Sequence, residues 1–119
     1  VLQVRDVEVG GAVGYGADWT AKRASRIAIV AAGYGDGFLR AAAAGGFSLA
    51  GGLPLVGRIS MDMLAIDVTD AADIQVGQDI ELFGAGTSID DLAAAAGTIP
   101  YEILTRISSR AVRRHLGAV

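Results

Sequence analysis

The sequence predicts a mainly β domain, a Greek-key-like β-barrel of about seven to eight short strands with one or two short helices. Three observations predict it. Glycine accounts for 17 of the 119 residues, about twice its usual share of ~7%, and the glycines fall between short apolar runs. Those runs are rich in Val, Ile and Leu, as short strands are. The chain is also 52% apolar and 19% charged, with a mean hydropathy of +0.46, which is enough apolar surface to offset the entropy of ordering the chain. By itself the pattern leaves a barrel and a sandwich open as ways of packing the strands.

Taken in order, Val7-Glu8-Val9 precedes the glycine pair Gly10-Gly11, and the β-branched run Arg26–Ala31 ends at Gly33. Phe47-Ser48-Leu49 and Leu53–Ile59 flank Gly51-Gly52, which reads as a hairpin turn because glycine accepts positive φ at both central positions. Met63–Thr69 follows, and then Asp79–Phe83, where charged and apolar residues alternate as on a half-buried strand. Ala111–Leu116 is expected to return as a last strand. One helix is marked at both ends. Ser88 with Asp91 three residues later forms a variant capping box, Ile89, Leu92, Ala93 and Ala96 make an apolar stripe, and Gly97 supplies the stop. A second candidate runs from Pro100 to Ser108, and Asp36–Ala44 favours a brief helical turn ended by Gly45-Gly46.

Composition narrows the function classes. The length fits one domain, residues 1–119. A first residue other than methionine is expected of a piece of a longer protein. With no cysteine, neither a disulfide framework nor thiolate chemistry is available, and a reducing compartment is expected. A net charge of −3 and pI near 4.9 argue against a nucleic-acid partner. No apolar run approaches the roughly 20 residues that span a bilayer, and no signal peptide is visible. His115 stands alone, so no zinc ligand set exists and no metal is expected.

The chemistry-bearing motifs each have a plain structural explanation. Gly33-Tyr34-Gly35-Asp36-Gly37 follows a strand, but Phe38 stands where a dinucleotide fingerprint needs its third glycine, and a tight turn explains the cluster better than a phosphate loop. Asp90-Asp91 complements a helix dipole. Neither Ser25 nor Ser60 lies in a nucleophile elbow. Arg106, Arg110, Arg113, Arg114 and His115 form a basic cluster, readable as a local anion site or, with more weight, as a solvated strand face. Each of the three tyrosines, Tyr15, Tyr34 and Tyr101, adjoins a glycine or proline. Such a phenol can be offered to a ligand or packed in the core, and the residues alone favour packing.

Four blocks carry a resemblance. Val13–Ala21 (VGYGADWTA), Ala32–Arg40 (AGYGDGFLR), Val56–Met63 (VGRISMDM) and Gly97–Leu104 (GTIPYEIL) closely resemble the carboxy-terminal domain of the alanine racemase family, in the family's order and separations. The resemblance extends over nearly all 119 residues. It implies a second, mainly β domain following a pyridoxal 5'-phosphate-binding (β/α)₈ barrel that is absent from this chain, and a head-to-tail homodimer. Tyr15 then looks like the tyrosine that exchanges the Cα proton on the L-alanine face, working in the partner subunit's active site. The opposite face belongs to the cofactor lysine of the barrel, a position that Lys22 does not match. Tyr101 resembles the tyrosine that hydrogen-bonds the cofactor phosphate, and Met61 the residue whose main-chain amide holds the substrate carboxylate. Tyr34 resembles the inner gate of the substrate corridor, and Arg40 and Arg58 the arginines lining it.

Pro100 stands where the family often has asparagine, Gly35 where alanine is frequent and Ser60 where cysteine is frequent, while residues 115–119 match loosely. The implied activity is isomerisation of L- and D-alanine in the bacterial cytoplasm, supplying D-alanine for peptidoglycan, with the isolated domain inactive. Two other readings stay open. One is a domain of another amino-acid racemase, such as a serine racemase, or more distantly of a fold-related decarboxylase. The other is a non-catalytic β-barrel assembly module, against which the presence of Tyr15, Met61 and Tyr101 argues.

Overall fold

In the computed structural model, which describes residues 1–13, 19–49, 52–71 and 73–114, five strands form one antiparallel sheet. Its order is β1 (Gln3–Val7), β4 (Ser25–Val30), β7 (Leu64–Asp67), β6 (Leu53–Val56) and β5 (Ser48–Leu49). The short strands β2 (Ala12–Val13) and β3 (Trp19–Thr20) pair separately. Three helices follow the chain as α1 (Ala41–Ala44), α2 (Ile89–Ala96) and α3 (Pro100–Thr105), with a 3₁₀ turn at Tyr34–Asp36.

The centre of the sheet explains why the run after Arg26 is apolar throughout. In β4 and β7, Ala28 pairs with Ile66 and Val30 with Leu64, and these four residues face the larger buried cluster, with Phe38, Phe47, Leu92 and Ile103. Ile27 and Ala65 face the opposite side, with Val7, Val13 and Val56. Both faces of the central strands are therefore covered, and a strand buried on both faces has no position at which water would favour a polar residue.

Helices lie against the larger cluster. The Ser88 hydroxyl accepts hydrogen bonds from the Asp90 and Asp91 amides at the start of α2. Gly97 ends the helix at φ 72°, a left-handed conformation that costs a residue with a Cβ about 1 kcal/mol. Leu92 and Ala93 are the buried face between these ends. Pro100 opens α3 and Ile103 anchors it. Ile99 remains exposed and Ile107 half-buried, so of the three isoleucines that stand four residues apart along this segment, Ile103 is the one fully buried.

The mainly β expectation is met. The sheet runs open from β1 to β5, so no barrel closure is seen among the described residues, and helices number three, not one or two. The first strand lies earlier than Val7–Val9, because its ladder pairs Gln3 with Ile29 and Val7 with Ser25 before the chain turns at Gly10. The hairpin forms as expected, Ser48 opposite Pro54 and Leu49 opposite Leu53, with Gly51 outside the described residues. Residues 79–83 correct a prediction. Ile80, Leu82 and Phe83 do pack inward and Glu81 outward, but no strand forms. Alternation dictates which side chains seek the core; it does not supply a neighbouring strand with free backbone groups. Residues 111–114 likewise form no strand, and residues 115–119 lie outside the described set. No helix among the described residues is long and apolar enough to cross a membrane.

Candidate functional site

The turn after β4 carries the first site residues. The Asp36 carboxylate folds back to accept the Gly33 amide at 2.9 Å, and the Gly33 carbonyl accepts the amides of Asp36 at 3.0 Å and Phe38 at 3.3 Å. Phe38 is 5% exposed and packs near Phe47, with ring centroids 6.5 Å apart. This anchor holds one side of the turn in the core and leaves Tyr34 on the other, 42% exposed. The Arg40 guanidinium sits over the Tyr34 ring, 5.5 Å from its centroid. At a surface such a cation–π contact contributes about 0.5–1 kcal/mol, enough to bias the ring orientation without locking it. The tight-turn reading of residues 33–37 holds, since the protein's own carboxylate takes the Gly33 amide that an anion would need.

A second loop, residues 60–63, meets this turn backbone to backbone. The Tyr34 amide donates to the Ser60 carbonyl at 3.0 Å, and the Gly35 amide to the Met61 carbonyl at 2.8 Å. The approach is possible because Gly33 has no side chain: a Cβ there would lie 2.2 Å from the Ser60 oxygen. Ser60 closes its own loop, with its amide donating to the Met63 carbonyl at 2.9 Å and its hydroxyl accepting the Met63 amide at 3.0 Å. That engagement, like the bond from the Ser25 hydroxyl to the Arg23 carbonyl, agrees with neither serine being a nucleophile. Among the described residues, neither the Met61 nor the Asp62 amide donates a hydrogen bond to another protein group. Met61 is 53% exposed. Two adjacent amides without a protein acceptor, both on exposed residues, are a donor pair suited to an anion such as a carboxylate.

Arg58 follows β6 and lines, with Arg40, Trp19, Leu55 and Ile59, a groove of about 510 Å³. Two guanidinium groups on one groove attract anions by their field. Tyr34 and Arg40 also border a second hollow, about 440 Å³, whose wall continues to Arg106 beyond α3. Tyr101, in the first turn of α3, is 76% exposed. For Tyr34 and Tyr101 exposure therefore overturns the packing that the residues alone favoured. Tyr15 lies outside the described residues. The structure thus brings together Tyr34, Arg40, Arg58 and the Met61 segment. Tyr101 stands on a separate element, whose C-terminal end reaches the Tyr34 turn near Gly37.

One contact at these loops was not visible in the sequence. Arg110 places Nε 3.3 Å from Asp36 Oδ1 and Nη2 2.9 Å from Asp62 Oδ1, so it is no freely solvated member of a basic strand face. Its partners are remote in sequence, and no local spacing announces such a pairing. Among the described residues, no group of three or more His, Asp or Glu side chains could hold a metal ion.

Residues 1–115 match the family model described as "Alanine racemase, C-terminal domain". The chain is 51% identical over 119 residues to an alanine racemase of Stutzerimonas stutzeri, covering 98% of this chain and 33% of that protein. The solved biosynthetic alanine racemase of Pseudomonas aeruginosa superposes with a TM-score of 0.83 at 43% identity, over 95% of this chain and 32% of its own. An alanine racemase of Bartonella henselae, solved with covalently bound pyridoxal phosphate, gives 0.78 at 34% identity, over 92% of this chain and 32% of its own. The chain thus spans about a third of the length of the relatives it matches.

Proposed function

The chain belongs to the alanine racemase C-terminal domain family, and from that membership we propose that residues 1–119 act as one domain of a pyridoxal-phosphate-dependent alanine racemase. The reaction interconverts L- and D-alanine, with D-alanine going to peptidoglycan in the bacterial cytoplasm. The site is shared between subunits of a head-to-tail homodimer. The observation that carries this reading is the 51% identity to a protein named alanine racemase, maintained over 98% of this chain.

Pyridoxal phosphate requires a lysine for its carbonyl and hydrogen-bond donors for its phosphate. Lys22, the single lysine, is exposed in the bend between β3 and β4. Tyr101 offers an outward phenol. The residues present therefore fit the phosphate end, and the carbonyl end is left to a lysine of another domain. When bound, the cofactor supplies the electron sink that makes removal of the alanine Cα proton possible.

This chain's own residues bind, admit and exchange. Arg40 and Arg58 draw the alanine carboxylate into the groove, and Tyr34, its ring beneath the Arg40 guanidinium, gates the way in from the neighbouring hollow that it shares with Arg40. The Met61 amide then hydrogen-bonds the carboxylate. A backbone donor does this whatever the side chain, and it gains strength because the acceptor is charged. Racemisation needs one group to take the Cα proton and another, on the opposite face, to return one. Tyr15 is the group on the L-alanine face. A free phenol ionises near pH 10, so Tyr15 acts as a base at neutral pH only beside positive charge that favours its phenolate.

Purification of the full-length protein and assay of L-alanine racemisation tests the reading. Tyr15→Phe is expected to lower L-to-D turnover roughly a hundred- to ten-thousandfold, the usual contribution of a positioned base, at an unchanged melting temperature. Near-parental turnover would refute the role. Faster racemisation of L-serine than of L-alanine would assign the domain to another amino-acid racemase, and no turnover of either would favour an assembly module. The 119-residue chain with added cofactor is expected to be inactive, and sustained turnover would overturn that part.

A further inference from the structure

We propose that Arg110 is a positioning residue for the substrate carboxylate: by bridging Asp36 and Asp62 it holds the Met61 amide in register with the Tyr34 turn. The proposal rests on the alanine racemase reading above and extends it to a side chain outside the four recognised blocks.

The links form a continuous path. Asp36 uses Oδ2 to accept the Gly33 amide and Oδ1 to meet Arg110 Nε, so one carboxylate ties the turn to the guanidinium. Arg110 Nη2 reaches Asp62 Oδ1 at 2.9 Å, and Asp62 adjoins Met61. The Ser108 amide donates to the Asp36 carbonyl at 3.0 Å, which seats the segment carrying Arg110 against the same turn. The remaining guanidinium nitrogen lies over Gly35: a Cβ at Gly35 would be 2.7 Å from Nη1 and 2.9 Å from the Met61 side chain. Gly35 thus gives the clamp room to lie flat between the two loops.

The side chain of Arg110 is 50% exposed, and those of Asp36 and Asp62 are 24% and 60% exposed. Partly solvated pairs of this kind contribute little to global stability. Their consequence is local. Among the described residues, two backbone hydrogen bonds join residues 60–61 to the turn, and a loop hinged on two bonds can rotate its open amides away from a ligand. The guanidinium adds a third point of attachment. It also offsets two carboxylates that would otherwise repel an incoming carboxylate. A donor already held in its binding orientation loses less freedom when the carboxylate arrives, so a weak clamp at this position acts on substrate affinity.

The test uses the full-length enzyme with Arg110→Gln and Arg110→Lys, measuring KM and kcat for L-alanine, the affinity for propionate, and the melting temperature. Propionate is alanine without its amino group and reports on the carboxylate site alone. Arg110→Gln is expected to raise KM about tenfold, weaken propionate to the same extent, and change kcat less than threefold. Arg110→Lys keeps the charge but engages one carboxylate at a time; it is expected to raise KM two- to fivefold at an unchanged melting temperature, which carries the test if the glutamine variant does not fold. Parental KM and propionate affinity in the folded variants would overturn the proposal, as would losses that merely track the folded fraction. A parental enzyme inactive on alanine would instead overturn the alanine racemase reading, a separate outcome.

Discussion

Gly33→Ala probes the contact on which the candidate site is built. Gly33 itself has ordinary extended backbone, φ −153°, so the substitution costs nothing through its own dihedrals and acts only through space. The new Cβ would lie 2.2 Å from the Ser60 oxygen and 2.6 Å from the Met61 carbonyl carbon and oxygen. These are backbone atoms that cannot rotate aside, and relief requires the two loops to separate by about 1 Å. Separation of that size stretches the bonds from Tyr34 to Ser60 at 3.0 Å and from Gly35 to Met61 at 2.8 Å beyond useful hydrogen-bond length. Two bonds at ~1 kcal/mol each, plus the usual 1–3 kcal/mol of overpacking, give a loss of about 3–5 kcal/mol. For a domain of this size that is a fall of roughly 10–20 °C in melting temperature. Gly97→Ala is the matched control, with φ 72° and nothing within 4 Å of the added Cβ, and should cost only about 1 kcal/mol. Thermal and urea unfolding of both variants against the parent measures the difference. If Gly33→Ala costs no more than Gly97→Ala, the close approach of the two loops is wrong.

Other perturbations address the core and the surface. Leu92 is 1% exposed between the sheet and α2, so Leu92→Ala should lower the unfolding free energy by about 2–5 kcal/mol, whereas Leu2→Ala, at a position 55% exposed, should stay within about 0.5 kcal/mol; equal losses in urea titrations would contradict the placement of the core. The hydrogen bond from Arg23 and its charge hold the Asp70 carboxyl below its usual value of 3.8. A carboxyl with a lowered folded-state pKa contributes stability above the ordinary value and loses it as pH falls through the lowered one. Because the pair is exposed and such pairs contribute little, Arg23→Gln should lower neutral-pH stability slightly and flatten the acid limb of the urea midpoint below about pH 3.8 by that same amount, so that parent and variant converge in acid; an acid limb identical to the parent's would show that the pair is not formed.

The two ends of α2, the β5–β6 hairpin and the apolar central strands could be read from the order of residues, because each depends on chemistry within a few positions. Ser88 caps amides two and three residues away, and Gly97 supplies a local backbone conformation. The four blocks around Tyr15, Tyr34, Met61 and Tyr101 were legible by resemblance. Their chemistry was not legible from local pattern, since whether a phenol is buried or exposed depends on what packs beside it. Tyr34 faces outward because Phe38 faces in, which is a matter of the core and not of the motif.

The sequence by itself determined that glycine-punctuated apolar runs would form a mainly β domain, with no cysteine, one histidine and one lysine to limit its chemistry. Only the tertiary structure decided that residues 79–83 would alternate without pairing, that the sheet would run open from β1 to β5, and that Arg110 would reach Asp62 across 48 positions of chain. Spacing encodes what one side chain does to its near neighbours. Strand partners and ion pairs between distant segments are set by where whole elements come to rest, and that depends on the packing of all of them together.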